Sequence, residues 1–178
     1  MPAPPALKSA SPAAQRALQL LQAVLAAALL ALGLCGGAAQ AATGCTLAST
    51  PIVFGGYDVF SPASLDSSAT LVLTCSRFGG PQNTVLAIGI GPGAHGGSSG
   101  GRRLQAGSGQ FLAYNLFRDA GRSAVWGDVA GLDTFTQALA VPNQSSAQLS
   151  VTVFGRIPAG QDVPKGVYAD RVVVTVTP

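Results

Sequence analysis

The stretch Ala69-Thr70-Leu71-Val72-Leu73-Thr74-Cys75 decides the fold class. Leu71, Leu73 and Cys75 fall on one side of an extended chain, and Thr70, Val72 and Thr74 on the other. That period of two is what a half-buried strand requires. It recurs along the chain. Leu149, Val151 and Val153 share a face, with Ser150 and Thr152 opposite. Residues 111–117 set Leu112, Tyr114 and Leu116 against Phe111, Ala113, Asn115 and Phe117. Residues 85–90 form a continuous apolar run, as in a strand buried inside a sandwich. Ile52-Val53-Phe54-Gly55-Gly56-Tyr57 reads as a short apolar strand broken at its glycines. The strongest strand signal is the last, over residues 167–177, where Val172, Val174 and Val176 share a face. Gly, Pro, Asn and Ser punctuate these segments, and there is no heptad or internal repeat. Only residues 130–141 are ambiguous, between a strand and a brief helical turn. The pattern predicts an all-β antiparallel sandwich.

Residues 1–41 differ in character. Lys8 and Arg16 are the only charges ahead of an apolar run over residues 18–34, and Ala39-Gln40-Ala41 follows. A positive region, an apolar region and a small-residue site in that order predict a secretory signal peptide cut after Ala41. The competing reading is an uncleaved anchor, because the run approaches the length that spans a bilayer; Gln19 and Gln22 interrupt it. Cys35 ends the run, but Leu34 stands where lipid attachment needs a small residue. Cleavage leaves residues 42–178, enough for one sandwich core and without a membrane span. It also removes Cys35 and leaves Cys45 and Cys75. An even pair in an exported chain predicts a disulfide, the alternative being two buried thiols.

Charge excludes one large class. The formal net charge is +3, from ten Lys and Arg against seven acidic residues, all Asp. Lys8 and Arg16 belong to the signal, so the remainder is close to neutral. A nucleic-acid binder needs a concentrated basic surface, and only Arg102-Arg103 forms a doublet, read as a solvated turn or strand end.

Catalytic, cofactor and metal sites find no support. The glycine-rich run over residues 89–101 lacks the helix start and the Lys-Ser/Thr of a phosphate loop, and reads as a flexible surface loop. His95 is the one histidine and lies in that loop. It has neither the orienting partner of a nucleophilic site nor the companions of a zinc site. Asp128 and Asp133 read as turn residues on either side of Gly131 rather than as an acid–base pair. The expectation is that the chain is not an enzyme and carries no cofactor.

Several short motifs in order resemble the spore coat protein U domain family, secreted pilin-like subunits of archaic chaperone–usher pili. They begin at Cys45, Phe54-Gly55-Gly56-Tyr57 and Thr74-Cys75. They continue with Arg102-Arg103-Leu104, Leu112-Ala113-Tyr114-Asn115-Leu116-Phe117 and Trp126-Gly127-Asp128. They end with Phe154-Gly155-Arg156-Ile157-Pro158-Ala159-Gly160-Gln161 and Gly166-Val167-Tyr168-Ala169-Asp170. Read locally, Phe154 ends a strand, Gly155 permits a bend, and Pro158 with Gly160 shapes the following turn. Tyr168 has a ring to bury and a hydroxyl to satisfy.

The resemblance implies an immunoglobulin-like sandwich lacking its final strand. It implies a periplasmic pilus chaperone, an outer-membrane usher and neighbouring pilin subunits as partners, and a place on the cell surface, in adhesion or biofilm. The uncovered last strand agrees, and Val172, Val174 and Val176 are the expected strand-acceptor edge. Only Ala42, Thr43 and Gly44 precede the first cysteine of the exported chain. Three residues reach about 10 Å, against roughly 17–20 Å for an ordinary strand. The chain is therefore expected to accept a strand without donating one, as a terminal or tip-type subunit. The alternatives are a spore-coat or extracellular matrix protein, and a monomeric secreted binding module using the glycine-rich loop.

Overall fold

The computed structural model describes residues 42–79, 83–107 and 109–177. The predicted signal peptide, residues 1–41, lies outside them. Ten strands and no helix occur among the described residues: β1 (Ala42–Ser49), β2 (Leu65–Phe78), β3 (Asn83–Ile90), β4 (Arg103–Ala106), β5 (Phe111–Ala113), β6 (Asn115–Phe117), β7 (Phe135–Ala140), β8 (Ser145–Ile157), β9 (Tyr168–Ala169) and β10 (Val174–Thr177). They form sheets ordered β1-β2-β8-β6, β10-β3-β7 and β5-β4-β9. Every pairing is antiparallel, giving the open all-β sandwich expected from the alternation.

The core follows the period of two. Leu71, Leu73 and Cys75 from β2 and Val151, Val153 and Ile157 from β8 are buried, with Leu71 opposite Val151 and Leu73 opposite Leu149. They share one apolar cluster with Leu86, Ile88 and Ile90 of β3. Burying such a side chain contributes roughly 1.5–3 kcal/mol each. Val85 departs from the continuous-run reading: it is 57% exposed, so β3 is buried on both faces only at its end, where Ile88, Gly89 and Ile90 are all inside. Trp126 is fully buried, and its indole N–H donates to Ile88 O at 2.8 Å. The ambiguous segment resolves into turns ending at Thr134 and the edge strand β7.

The alternation over 111–117 holds in burial, since Leu112, Tyr114 and Leu116 are all inside. It is not one strand, however. β5 pairs with β4 and β6 with β8, so the chain changes sheet at Tyr114, whose N–H donates to Arg102 O. Phe154 likewise does not end a strand, because β8 runs through it and Gly155 to Ile157. Glycine is needed at 155 for a different reason: a Cβ there would press on Ile52 Cδ1 and the Phe54 ring. Pro158 and Gly160, at φ 75°, form the turn as expected.

The largest correction concerns Arg102. Arg103 is exposed, but Arg102 is 1% exposed. Its Nε donates to Gly91 O, its Nη1 to Ser99 O and Asn115 Oδ1, and its Nη2 to Ile90 O and Trp126 O, at 2.5–2.9 Å. Burial pulls its pKa down from the ordinary arginine value, opposed by the nearby Tyr114 and the Asp128, Asp133 and Asp170 carboxylates. The glycine-rich run is therefore no free tether. It wraps Arg102, and a Cβ at Gly96 would collide with Pro92 O.

Cys45 and Cys75 are directly opposite each other in β1 and β2 and are joined by a disulfide closing a separation of 30 residues. β1 pairs with β2 alone, so this bond ties an edge strand to the sheet. Reduction is expected to lower unfolding stability by about 3–4 kcal/mol. Urea titrations with and without reductant, read by tryptophan fluorescence, measure it; superimposable curves would show the bond to be energetically silent.

Candidate functional site

An apolar groove of about 800 Å³ opens between two extended segments, residues 52–59 and 163–170. Leu104, Leu112, Tyr114, Leu116 and Ile157 line it between them. Neither wall is a regular strand along its length. Residues 52–57, read in the sequence as a strand, carry no ladder at all. The predicted strand over 167–177 is realised only as β9 and β10, with residues 170–173 outside any ladder.

Specific contacts hold the first wall in place. Ile52 and Phe54 lie over Gly155, and Phe54 meets Tyr114 edge-on at 6.0 Å between ring centroids. Ser67 Oγ donates to Val53 O at 2.6 Å. Tyr57 Oη donates to Pro158 O at 3.1 Å and accepts from Gln161 N at 2.8 Å. Gln161 also clamps β5, since its Nε2 donates to Ala113 O and its Oε1 accepts from Ala113 N. In the sequence Gln161 stands out only as part of its motif. A polar residue following a Pro-x-Gly turn is the signal that points to such a clamp.

The second wall is anchored by Asp170. Tyr114 Oη donates to Asp170 Oδ2 at 2.8 Å, while Asp170 Oδ1 accepts from Ala94 N and Arg171 N. Burial, and then the bond to Asp170, pushes the Tyr114 phenol above its ordinary range, so it remains a donor at physiological pH. Tyr168 Oη donates to Pro164 O at 2.8 Å, while its half-buried ring packs against the core. β9 pairs only with β4, leaving its other side facing the groove region. Val53 and Val167 stand on the two walls 73% and 88% exposed.

The expected acceptor residues divide. Val172 lines the groove, whereas Val174 and Val176 lie in β10 opposite Ile90 and Ile88, partly buried against the core. β10 has β3 on one side and no strand on the other among the described residues. His95 sits beside Phe111, ring centroids 6.1 Å apart, and its carbonyl accepts from Arg103 Nε. Asp133 Oδ1 accepts from Val129 N and Asp128 Oδ1 from Ser99 Oγ, which are turn and loop contacts.

The fold is an open antiparallel sandwich with an apolar slot between residues 52–59, which carry no ladder, and residues 163–170, whose ladder is β9 alone. The profile of the Spore Coat Protein U domain matches residues 31–175, and the chain belongs to that family. It is 33% identical over 126 residues to Protein U of Myxococcus xanthus, covering 68% of this chain and 62% of that protein's length. Among solved structures it resembles a chain of the CsuC-CsuE chaperone-tip adhesion subunit pre-assembly complex from archaic chaperone-usher Csu pili of Acinetobacter baumannii. That likeness has a TM-score of 0.51 at 20% identity, over 76% of this chain and 39% of that one. No helix among the described residues is long and apolar enough to cross a membrane.

Proposed function

We propose that the chain is an exported structural subunit of a cell-surface fibre, assembled by a chaperone–usher pathway, that accepts a partner's strand in the groove. One observation carries this reading. The two strand-signalling segments that line the same apolar groove, 52–57 and 167–170, form no ladder beyond β9. A strand laid between them would meet extended backbone on both sides and cover Leu104, Leu112 and Leu116. Strand addition of this kind takes its affinity from main-chain hydrogen bonds and its specificity from alternate side chains.

A periplasmic chaperone would supply that strand first and a neighbouring subunit would replace it, with an outer-membrane usher between the two stages. β1 supports an accepting rather than donating role. Its residues from Ala42 onward already pair with β2, so cleavage after Ala41 leaves nothing to lend. The reading is of a terminal subunit, structural rather than catalytic. The family description names a spore coat, which favours a coat or matrix protein as the second reading.

The test is to isolate the protein from periplasm by a tag after Pro178, with Val53→Cys available for crosslinking. The expected result is one stoichiometric partner, crosslinked through position 53, and mass spectrometry placing an apolar extended segment there. A lone monomer, left uncrosslinked at position 53, would sink the strand-accepting role.

A further inference from the structure

β1 is an edge strand, and its ladder shows which of its backbone groups are left open. Thr50 N donates to Thr70 O at 3.1 Å, which makes Thr50 and Thr70 a hydrogen-bonded pair at the end of the β1–β2 pairing. Such pairs alternate along antiparallel strands. Ala48, Thr46 and Gly44 therefore bond to Val72, Thr74 and Ser76, while Ser49, Leu47, Cys45 and Thr43 stand opposite β2 as non-bonded pairs. The Cα separation of 4.0 Å between Cys45 and Cys75 belongs to the closer, non-bonded kind. The N–H and C=O groups of Thr43, Cys45, Leu47 and Ser49 consequently point away from β2, and no described residue meets them. Exposed edges are ordinarily blunted by charge, proline or a bulge. β1 has no charged residue and no proline, and it pairs residue for residue with β2 from Ala42 to Ser49.

This edge fits a second copy of itself. Two β1 strands laid antiparallel with Thr46 opposite Thr46 bring Cys45 of each copy opposite Leu47 of the other, and Thr43 opposite Ser49. The residues with open groups then meet one another. Each supplies one donor and one acceptor, about eight main-chain bonds in all. On the outer face Gly44 comes opposite Ala48, and Thr70, Val72 and Thr74 behind them on β2 are uncharged too, so no like charges oppose the approach. Leu47, 37% exposed, gains apolar cover on the other face. The disulfide already fixes the strand, so little ordering is left to oppose pairing. An eight-residue strand spans about 27 Å, which gives a small contact, weak for one pair and suited to subunits held side by side. We propose that β1 pairs with β1 of a second copy and joins the two four-stranded sheets into one continuous sheet. None of its residues lines the groove, so subunits of two fibres, or of a coat, pair in this way with the groove occupied.

The experiment uses the exported protein with any strand-donating partner left in place, followed by sedimentation equilibrium over a concentration series. The expected result is a reversible doubling of mass. Thr46→Lys and Thr46→Glu each set like charges face to face at the centre of the pairing and should weaken self-association about fivefold. An equimolar mixture of the two should associate at least as tightly as the unsubstituted protein, because Lys then opposes Glu. That recovery also shows both variants to be folded. Thr152→Lys adds a charge to the same outer face on β8, with β2 and β1 between it and the edge, and should leave the association unchanged. A mass that stays at one copy up to millimolar concentration, equal weakening by Thr152→Lys, or a mixture of folded Lys and Glu variants no tighter than either alone would each overturn the proposal. None of these outcomes touches the groove, so failure here is separable from failure of the strand-accepting role.

Discussion

Arg102→Met is expected to lower the stability of the strand-complemented protein by about 3–5 kcal/mol, enough to abolish export of folded material. Methionine matches much of the arginine stem, so lost packing is a minor part of the effect. The larger part is the loss of the Arg102 donors from four main-chain carbonyls, Gly91 O, Ser99 O, Ile90 O and Trp126 O, and from Asn115 Oδ1, which keeps only its bond from Leu116 N. These lie on the glycine-rich run, the end of β3, the start of β6 and the core tryptophan. The change therefore disconnects four parts of the fold at one point. Each buried polar group left unsatisfied costs about 1–3 kcal/mol, and partial access of water to the loop carbonyls keeps the sum below the simple total. Arg103→Met is the control. Its side chain is exposed over the Phe111 ring at 4.6 Å, and the substitution should cost less than about 1 kcal/mol. Urea unfolding of both variants, followed at Trp126, decides the matter. Equal midpoints would mean that the Arg102 network is dispensable.

That arginine also marks the boundary of what the sequence makes legible. Regular alternation is readable wherever it reports on one buried face, as in β2 and β8, because apolar side chains declare their side. Arg102 follows the same rule: it has the same parity as Leu104 and Ala106, the latter buried in β4. A charge at an inward position reads as solvated because its acceptors are main-chain carbonyls from residues 90, 91, 99 and 126, which no local pattern announces. The change of sheet at Tyr114 is hidden for a related reason. Side-chain parity is unbroken across it, and only the identity of the hydrogen-bonding neighbours changes.

The groove is legible in a different way. Local patterns suffice for Cys45, Cys75 and the fold class, whereas the acceptor edge at Val172, Val174 and Val176 follows from the alternation of the last strand signal together with the family resemblance. The structure puts only Val172 on the groove and adds the segment around Ile52, Phe54 and Tyr57 as its other wall. That segment carries β-forming residues without a ladder. Intrinsic strand preference expresses packing against neighbours more than backbone bias, so a strand-like sequence without a strand partner points to a missing neighbour.

Supplying that neighbour is expected to produce the largest stabilisation available to this protein. The residue 42–178 domain alone should unfold at low denaturant. A donor peptide with alternating apolar residues, taken from a companion subunit, should raise its Tm by about 8–15 °C at a hundredfold excess over Kd. The estimate follows from linkage: ligand at 100 times Kd adds about 2.7 kcal/mol to the folded state. Covering the groove removes from water the two exposed wall valines, Val53 and Val167, and the partly buried Leu104. Hydrogen exchange locates the effect. Amides of residues 52–58 and 163–170, which lack strand pairing apart from β9, should exchange fast without peptide and slowly with it, while β2 and β8 amides change little. A donor with its alternate apolar positions replaced by serine should bind weakly, because the slot would then hold hydroxyls against leucine. Slow exchange of residues 52–58 without any peptide, together with an unchanged Tm, would mean that the sandwich is already complete. In that outcome the groove is a small-molecule pocket and the chain a self-sufficient binding module.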